Sequence, residues 1–244
     1  DGQLIVGAIF ASGAALALDS FPAPVLLPLV LLSGMIGGAL WASIAGVLKA
    51  YCHTDEVIST LMLNFIAIHL SNYLIYGSFS FWRNPANKQY PTGHIIPDNA
   101  QLPRIWDRLH LGFFIAVGLA FCVWWLLRTT QWGFQVRVIG DSVQAARYAG
   151  IGVEKNLVVV LVVSAALAGL AGAVAVSGVN FSLQPRALQN EVGYTGIIVA
   201  AVARLNPLVI VPVAILLAIL INSGTAMQQL GIPVHLVLVL QGIV

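Results

Sequence analysis

Charge is what this chain has least of. Of its 244 residues 8% are Asp, Glu, Lys or Arg, while 59% are hydrophobic. A soluble domain carries roughly 25% charged residues, and a surface cannot be covered with a third of that. The composition excludes a soluble globular domain, a disordered chain and a collagen-like chain. It excludes a nucleic-acid binder as well, and a formal net charge of +2 is too small to imply an anionic partner. Cysteine is nearly absent: Cys52 and Cys122 cannot build a disulfide framework. The histidines are scattered, with no paired His or Cys spacing for a metal. There is no glycine-rich phosphate loop of the Walker type and no Gly-x-Ser-x-Gly elbow. The chain lacks the parts of an ATPase or of a serine hydrolase.

Long apolar runs are present instead, and they define an all-α, polytopic transmembrane helical bundle. A helix satisfies its own backbone in lipid, so each run is read as one. Val25–Leu48, Val57–Tyr76, Leu111–Leu127 and Leu157–Val179 are clear spans. Leu208–Ile221 is shorter but uncharged, Leu4–Leu18 is at the lower limit of length, and another span begins at Val234. Thr195–Ala203 is too short to cross as a straight helix. Between Gly193/Gly196 and Arg204-Leu205-Asn206-Pro207 it reads as an interrupted half-helix that enters and turns back, ahead of the alternative of one helix kinked at Pro207. The first residues, Asp1-Gly2-Gln3, and the apolar last run lead us to expect a single transmembrane domain over 1–244, with further residues at both ends.

Arg128, Arg137, Arg147 and Lys155 outnumber Asp141 and Glu154 in the segment 128–155, which the positive-inside rule places in the cytoplasm. Segment 77–110 then faces outside, although it carries Arg83, Lys88, Arg104 and Arg108. Proline-led helices occur twice, at Pro24/Pro28 and Pro207/Pro212, each after a short glycine-bounded apolar run. Leu61–Ile66 and Leu238–Ile243 echo each other with one amide apiece, which suggests an internal repeat. The two proline-led helices run the same way if Thr195–Ala203 does not cross.

Polar groups inside a membrane are expensive and mark function. The spans hold few titratable groups, and His69 and Arg204 are the only candidates for an ion relay. Neutral amides remain: Asn64, Asn72, Asn222 and Gln241, with Tyr73 beside them. Amides donate and accept, which suits an uncharged polar ligand, although they also glue helices together. We expect the solute route at Asn64, Asn72, Asn222 and Gln241. The small residues Ala165, Ala166, Ala168, Gly169, Ala171, Gly172 and Ala173 read as close helix packing.

The most specific stretch is Arg137–Ile151. Asp141 or Ser142 can cap a short helix through Ala145, Ala146 and Tyr148, closed by Gly150. A face of Ala145, Ala146 and Ala149 lets another backbone come close. With Gly140, Ala145, Ala146, Gly150 and Ile151, this stretch resembles the coupling loop of ABC-importer permeases of the branched-chain amino acid and simple-sugar superfamily. Asp141 stands where that pattern has Asn. Gly2-Gln3, Asp55–Asn64, Gly193–Ile197 and Asn206-Pro207 resemble its nucleoside or simple-sugar branch. The resemblance implies a permease subunit of a bacterial inner-membrane importer that moves a small neutral solute, a nucleoside or a simple sugar, by alternating access. It implies a second permease subunit, an extracytoplasmic solute-binding protein at 77–110, and two ATPase subunits that bind ATP and Mg. These would dock through Gly140, Asp141, Ala145, Ala146, Tyr148, Ala149 and Gly150. Outside that resemblance, an ion-coupled transporter or channel needs His69 or Arg204, an intramembrane enzyme needs a nucleophile–base pair, and a structural subunit needs no route at all.

Overall fold

The computed structural model describes residues 2–52, 54–77, 80–85, 91–106, 109–188 and 192–229. Helices dominate them: α1 Gly2–Ala17, α2 Ala23–Cys52, α3 Glu56–Asn72, α4 Gly112–Thr129, α5 Gln131–Asp141, α6 Val143–Tyr148, α7 Val153–Ala175, α8 Pro185–Leu188, α9 Val192–Val202 and α10 Pro207–Gln229. α3 and α7 each continue through a π-helical turn, over Tyr73–Gly77 and Val176–Asn180. With those turns, α2, α3, α4 and α7 are, among the described residues, the four helices long and apolar enough to cross a membrane.

The centre is built from α1, α2 and α7, and the reason is the lack of side chains between them. A Cβ at Gly38 would stand 2.8 Å from Gly169 Cα, and one at Gly34 would stand 2.6 Å from Ala173 Cβ. Gly7 meets the backbone of Gly169, and Gly172 meets that of Leu4. Without a solvent-driven hydrophobic effect between helices in lipid, such close approach supplies the attraction. α1, short as it is, is the most enclosed helix: Ile5, Ala8, Ala11 and Ala15 are fully buried. α3 shows the opposite pattern. It buries only Ala67 and Ser71 and leaves Ile58, Met62, Phe65 and Ile66 exposed.

Two ends of the bundle differ. One carries residues 80–85, 91–106 and 109–111, which pack down on the helices rather than standing free. Trp82 Nε1 donates to the Ile9 carbonyl of α1 at 3.1 Å. Ile96 N donates to Phe181 O and Leu102 N to Ser177 O, both at 2.9 Å. A small antiparallel pair, β1 Arg104–Trp106 and β2 Leu109–His110, closes that end. The other end carries α5 and α6.

The half-helix expected to turn back does not do so. α9 spans about 16 Å at 1.5 Å per residue, too little to cross alone. The chain ahead of it supplies the rest. Ser182 pairs with Ile95 at the 80–111 end, and α8 then packs against α1 and α3. After α9, Arg204 and Leu205 line a recess with Arg128 and Arg137, at the α5 end. The segment therefore crosses as an interrupted helix. Nor is it one helix kinked at Pro207: Arg204 and Leu205 adopt left-handed φ of 51° and 59°, and α10 starts afresh at Pro207. α2 thus begins at the 80–111 end and α10 at the opposite end. The proline-led helices run in opposite directions, as in an inverted repeat. The echo at Leu238–Ile243 and the span from Val234 lie outside the described residues.

Candidate solute site and coupling hairpin

Asp55 starts α3 by accepting from Val57 N at 2.7 Å, and Glu56 forms an ion pair with Lys49 of α2. The charges of this corner are therefore used in joining α2 to α3. Asn64 lies eight residues further in, about 12 Å along the helix axis. Trp41 lies about 17 Å from the same end of α2. Gly2 of α1 sits between them. A Cβ there would stand 3.0 Å from Asn64 Cα and 3.2 Å from Trp41 Nε1. Asn64 Oδ1 and Trp41 Nε1 are both buried, and neither has a hydrogen-bond partner among the described residues. One is an acceptor and the other a donor. An unpaired buried polar group costs about 1–3 kcal/mol, so two at one place need explaining. A group presenting one donor and one acceptor would satisfy both.

The other expected route residues are not gathered there. Asn72 closes α3 about 12 Å beyond Asn64 and already has a polar partner. Tyr73 is exposed in the π turn. Asn222 is exposed on α10, which packs on α4 and α9, and it too has a partner. Gln241 lies outside the described residues. Of the relay candidates, His69 is exposed on α3 and Arg204 sits in the end turn. Among the described residues no group of three His, Cys, Asp or Glu could hold a metal. Trp41 escaped the sequence reading. Its signal was a lone tryptophan among Gly, Ala and aliphatic residues deep in a span.

At the far end, α4, α5 and α6 form a folded arm. Thr130 caps α5 through its side chain, which accepts from Gly133 N at 3.0 Å. Ser142, not Asp141, caps α6, accepting from Ala145 N at 3.3 Å. Asp141 instead ends α5. Gly150, with φ of 75°, terminates α6. Ile151 N reaches Ala146 O and Gly150 N reaches Arg147 O, both at 3.0 Å, a paired closure that requires the left-handed residue. Ala146 is fully buried, so it seats the hairpin within its own chain and is not on the outer face as expected. Ala145, Ala149 and Tyr148 point out, Tyr148 at 94% exposure. Two contacts tie the arm to α7. Asn156 donates to Gln135 Oε1 at 3.2 Å, and Arg147 pairs with Glu154 at 3.0 Å.

Known proteins resemble the chain over nearly all of its length. The chain is 32% identical to the guanosine ABC transporter permease protein NupP of Bacillus subtilis over 96% of its length. It is 30% identical to the nucleoside ABC transporter permease protein NupB of Lactococcus lactis over 97%, and 28% identical to the glucose ABC transporter permease protein TsgB13 of Haloferax volcanii over 100%. It spans 66% of the length of each of these relatives. No solved structure is significantly similar. The family described as branched-chain amino acid transport system / permease component matches residues 1–244, and the chain belongs to that family.

Proposed function

We propose that this chain is the membrane-spanning core of an ABC importer permease in a bacterial inner membrane, and that its solute is a nucleoside. The observation that carries this reading is the buried donor–acceptor pair of Trp41 Nε1 and Asn64 Oδ1 beside Gly2. A nucleoside is uncharged and carries both donors and acceptors on base and ribose. The relatives named for guanosine and for nucleosides support that choice over a simple sugar. The α5–α6 end faces the cytoplasm, where its arginines satisfy the positive-inside rule. The packed segment 80–111 faces outside and receives a solute-binding protein.

Two ATPase subunits dock on the exposed side of α6, at Tyr148, Ala145 and Ala149, and hold the ATP and Mg. A second permease subunit completes the solute path. This chain contributes no catalytic group. Nucleotide-driven closure of the ATPases displaces α6, and the bundle shifts between outward-open and inward-open states. In the open state Asn64 and Trp41 exchange hydrogen bonds with solute for hydrogen bonds with water.

The test is uptake of labelled guanosine and labelled glucose by cells producing the full transporter, with wild-type chain or Asn64→Leu. The expected result is guanosine uptake, reduced about 3- to 12-fold by loss of one neutral hydrogen bond, with normal membrane insertion. Glucose uptake without guanosine uptake would overturn the nucleoside reading. Undiminished guanosine uptake in Asn64→Leu would overturn the route.

A further inference from the structure

At the α5 end, where α4, α5 and the α9–α10 turn meet, a recess of about 400 Å³ is lined by Trp124, Arg128, Arg137, Arg204 and Asn206 together with Leu127, Leu205 and Pro207. Its three guanidinium groups come from three separate elements. No carboxylate lines the recess, and none of the three arginines has an ion pair among the described residues. Arg128 lies over the Trp124 ring, 5.4 Å from its centroid. Arg204 is held in the end turn by the left-handed backbone at φ 51°. The first turn of α10 opens on the same recess, and its positive dipole end adds to the field.

Like charges gathered without a counter-charge repel one another, so the arrangement calls for an anion. The surroundings say which kind. Leu205 is 78% exposed, and Leu208 and Val209 continue the apolar surface along α10. A ring of cations above an apolar helix surface, at the end of membrane-spanning helices, matches an anionic headgroup with its acyl chains below. Basic recesses between helices at this level bind such headgroups.

We infer that Arg128, Arg137 and Arg204 form a binding site for an anionic phospholipid, with the phosphate held by the guanidinium groups and the acyl chains along α4 and α10. Guanidinium forks match phosphate oxygens in a bidentate way, which an ammonium does not. The occupant bridges α4, α5 and the α9–α10 turn. It therefore links the interrupted helix to the arm that carries α6.

The experiment uses the full transporter in nanodiscs of phosphatidylcholine, alone or mixed with cardiolipin. Retained lipids are counted by native mass spectrometry after release into detergent. Wild type is compared with Arg128→Gln/Arg137→Gln/Arg204→Gln, with each single change, and with Arg83→Gln/Arg104→Gln from the opposite end. Thermal melting in pure phosphatidylcholine identifies any variant that fails to fold, and Arg204→Lys then replaces it. Wild type and the opposite-end control should retain cardiolipin in preference to phosphatidylcholine. Each single loss should weaken retention roughly fivefold, and the triple loss roughly a hundredfold. Equal retention by wild type and triple variant overturns the site. So does displacement of cardiolipin by inorganic phosphate at millimolar concentration, which makes the site one for a free anion. Loss of the ATPase subunits from the triple variant with cardiolipin still bound also overturns it, and assigns the arginines to protein docking.

Discussion

Replacing Gly169 by alanine adds one methyl group to the contact between α2 and α7, among the tightest in the bundle. The new Cβ would collide with the Gly34 carbonyl oxygen and stand 3.0 Å from Gly38 Cα. Both are backbone atoms of α2, so no side chain can swing aside. The two helices must separate by about 1 Å, which forfeits a quarter to a half of the dispersion energy of the atoms lining the contact. Overpacking of this kind costs about 1–3 kcal/mol, and the absence of any flexible neighbour puts Gly169→Ala at the upper end. Alanine returns about 0.5–1 kcal/mol through better helix propensity. The expected net loss is about 2 kcal/mol, a lowering of melting temperature by roughly 4–8 °C for a chain of this size. The internal standard is Gly118→Ala on α4, where a Cβ meets nothing within 4 Å and only the propensity gain applies. Thermal melting of the detergent-solubilised protein, followed by tryptophan fluorescence, reads both. If Gly169→Ala melts with or above Gly118→Ala, the close packing of α2 on α7 does not hold the bundle together.

Other substitutions address the site and the arm. Trp41→Phe should reduce nucleoside uptake by a factor of about 3–12, while leaving the melting temperature unchanged or higher because an unpaired buried donor is removed; the two readouts together separate a ligand contact from a packing role. Gly150→Ala forces an L side chain into a left-handed conformation and should destabilise the α6 hairpin by about 1–2 kcal/mol, seen as faster amide exchange over residues 143–151. Ser142→Ala removes the α6 cap and should cost about 1 kcal/mol in the same measurement. Tyr148→Glu, at a side chain exposed in this chain, should abolish co-purification of the ATPase subunits without altering melting; retained co-purification would place docking elsewhere.

Much of this architecture is legible before any coordinates. Apolar runs locate the long helices to within a few residues at most ends: Val57–Tyr76 against an observed Glu56–Gly77, for example. The reason is that lipid leaves the backbone no alternative to a helix. The α6 hairpin is legible because caps and left-handed closures are local chemistry. What escapes is everything that depends on pairing between distant residues. Gly169 announces close packing, but nothing in the chain says that Gly34, Gly38 and Gly7 are its partners. Asn64 and Asn72 look equivalent along α3, yet among the described residues the Oδ1 of Asn64 has no hydrogen-bond partner while Asn72 is engaged. Ala146 reads as a docking surface because alanine suits both an interface and an interior. The fate of Thr195–Ala203 turned on α8, a four-residue helix too short to leave a pattern.

The glycine contacts among α1, α2 and α7 also determine how force can travel. Helices that touch backbone to backbone have no flexible side chain between them to absorb a displacement. A displacement of one of the three is therefore felt directly by the others. The arm is fastened to α7 through Asn156–Gln135 and Arg147–Glu154, so a push on α6 bears first on α7. α3 buries little of itself, and it is joined to α2 and α1 through the Lys49–Glu56 ion pair and the close approach of Gly2 to Asn64. Trp41 lies on α2 and Gly2 on α1, while Asn64 lies on α3. On the proposed route, a displacement of α1 and α2 against α3 would change the distance between the donor and the acceptor.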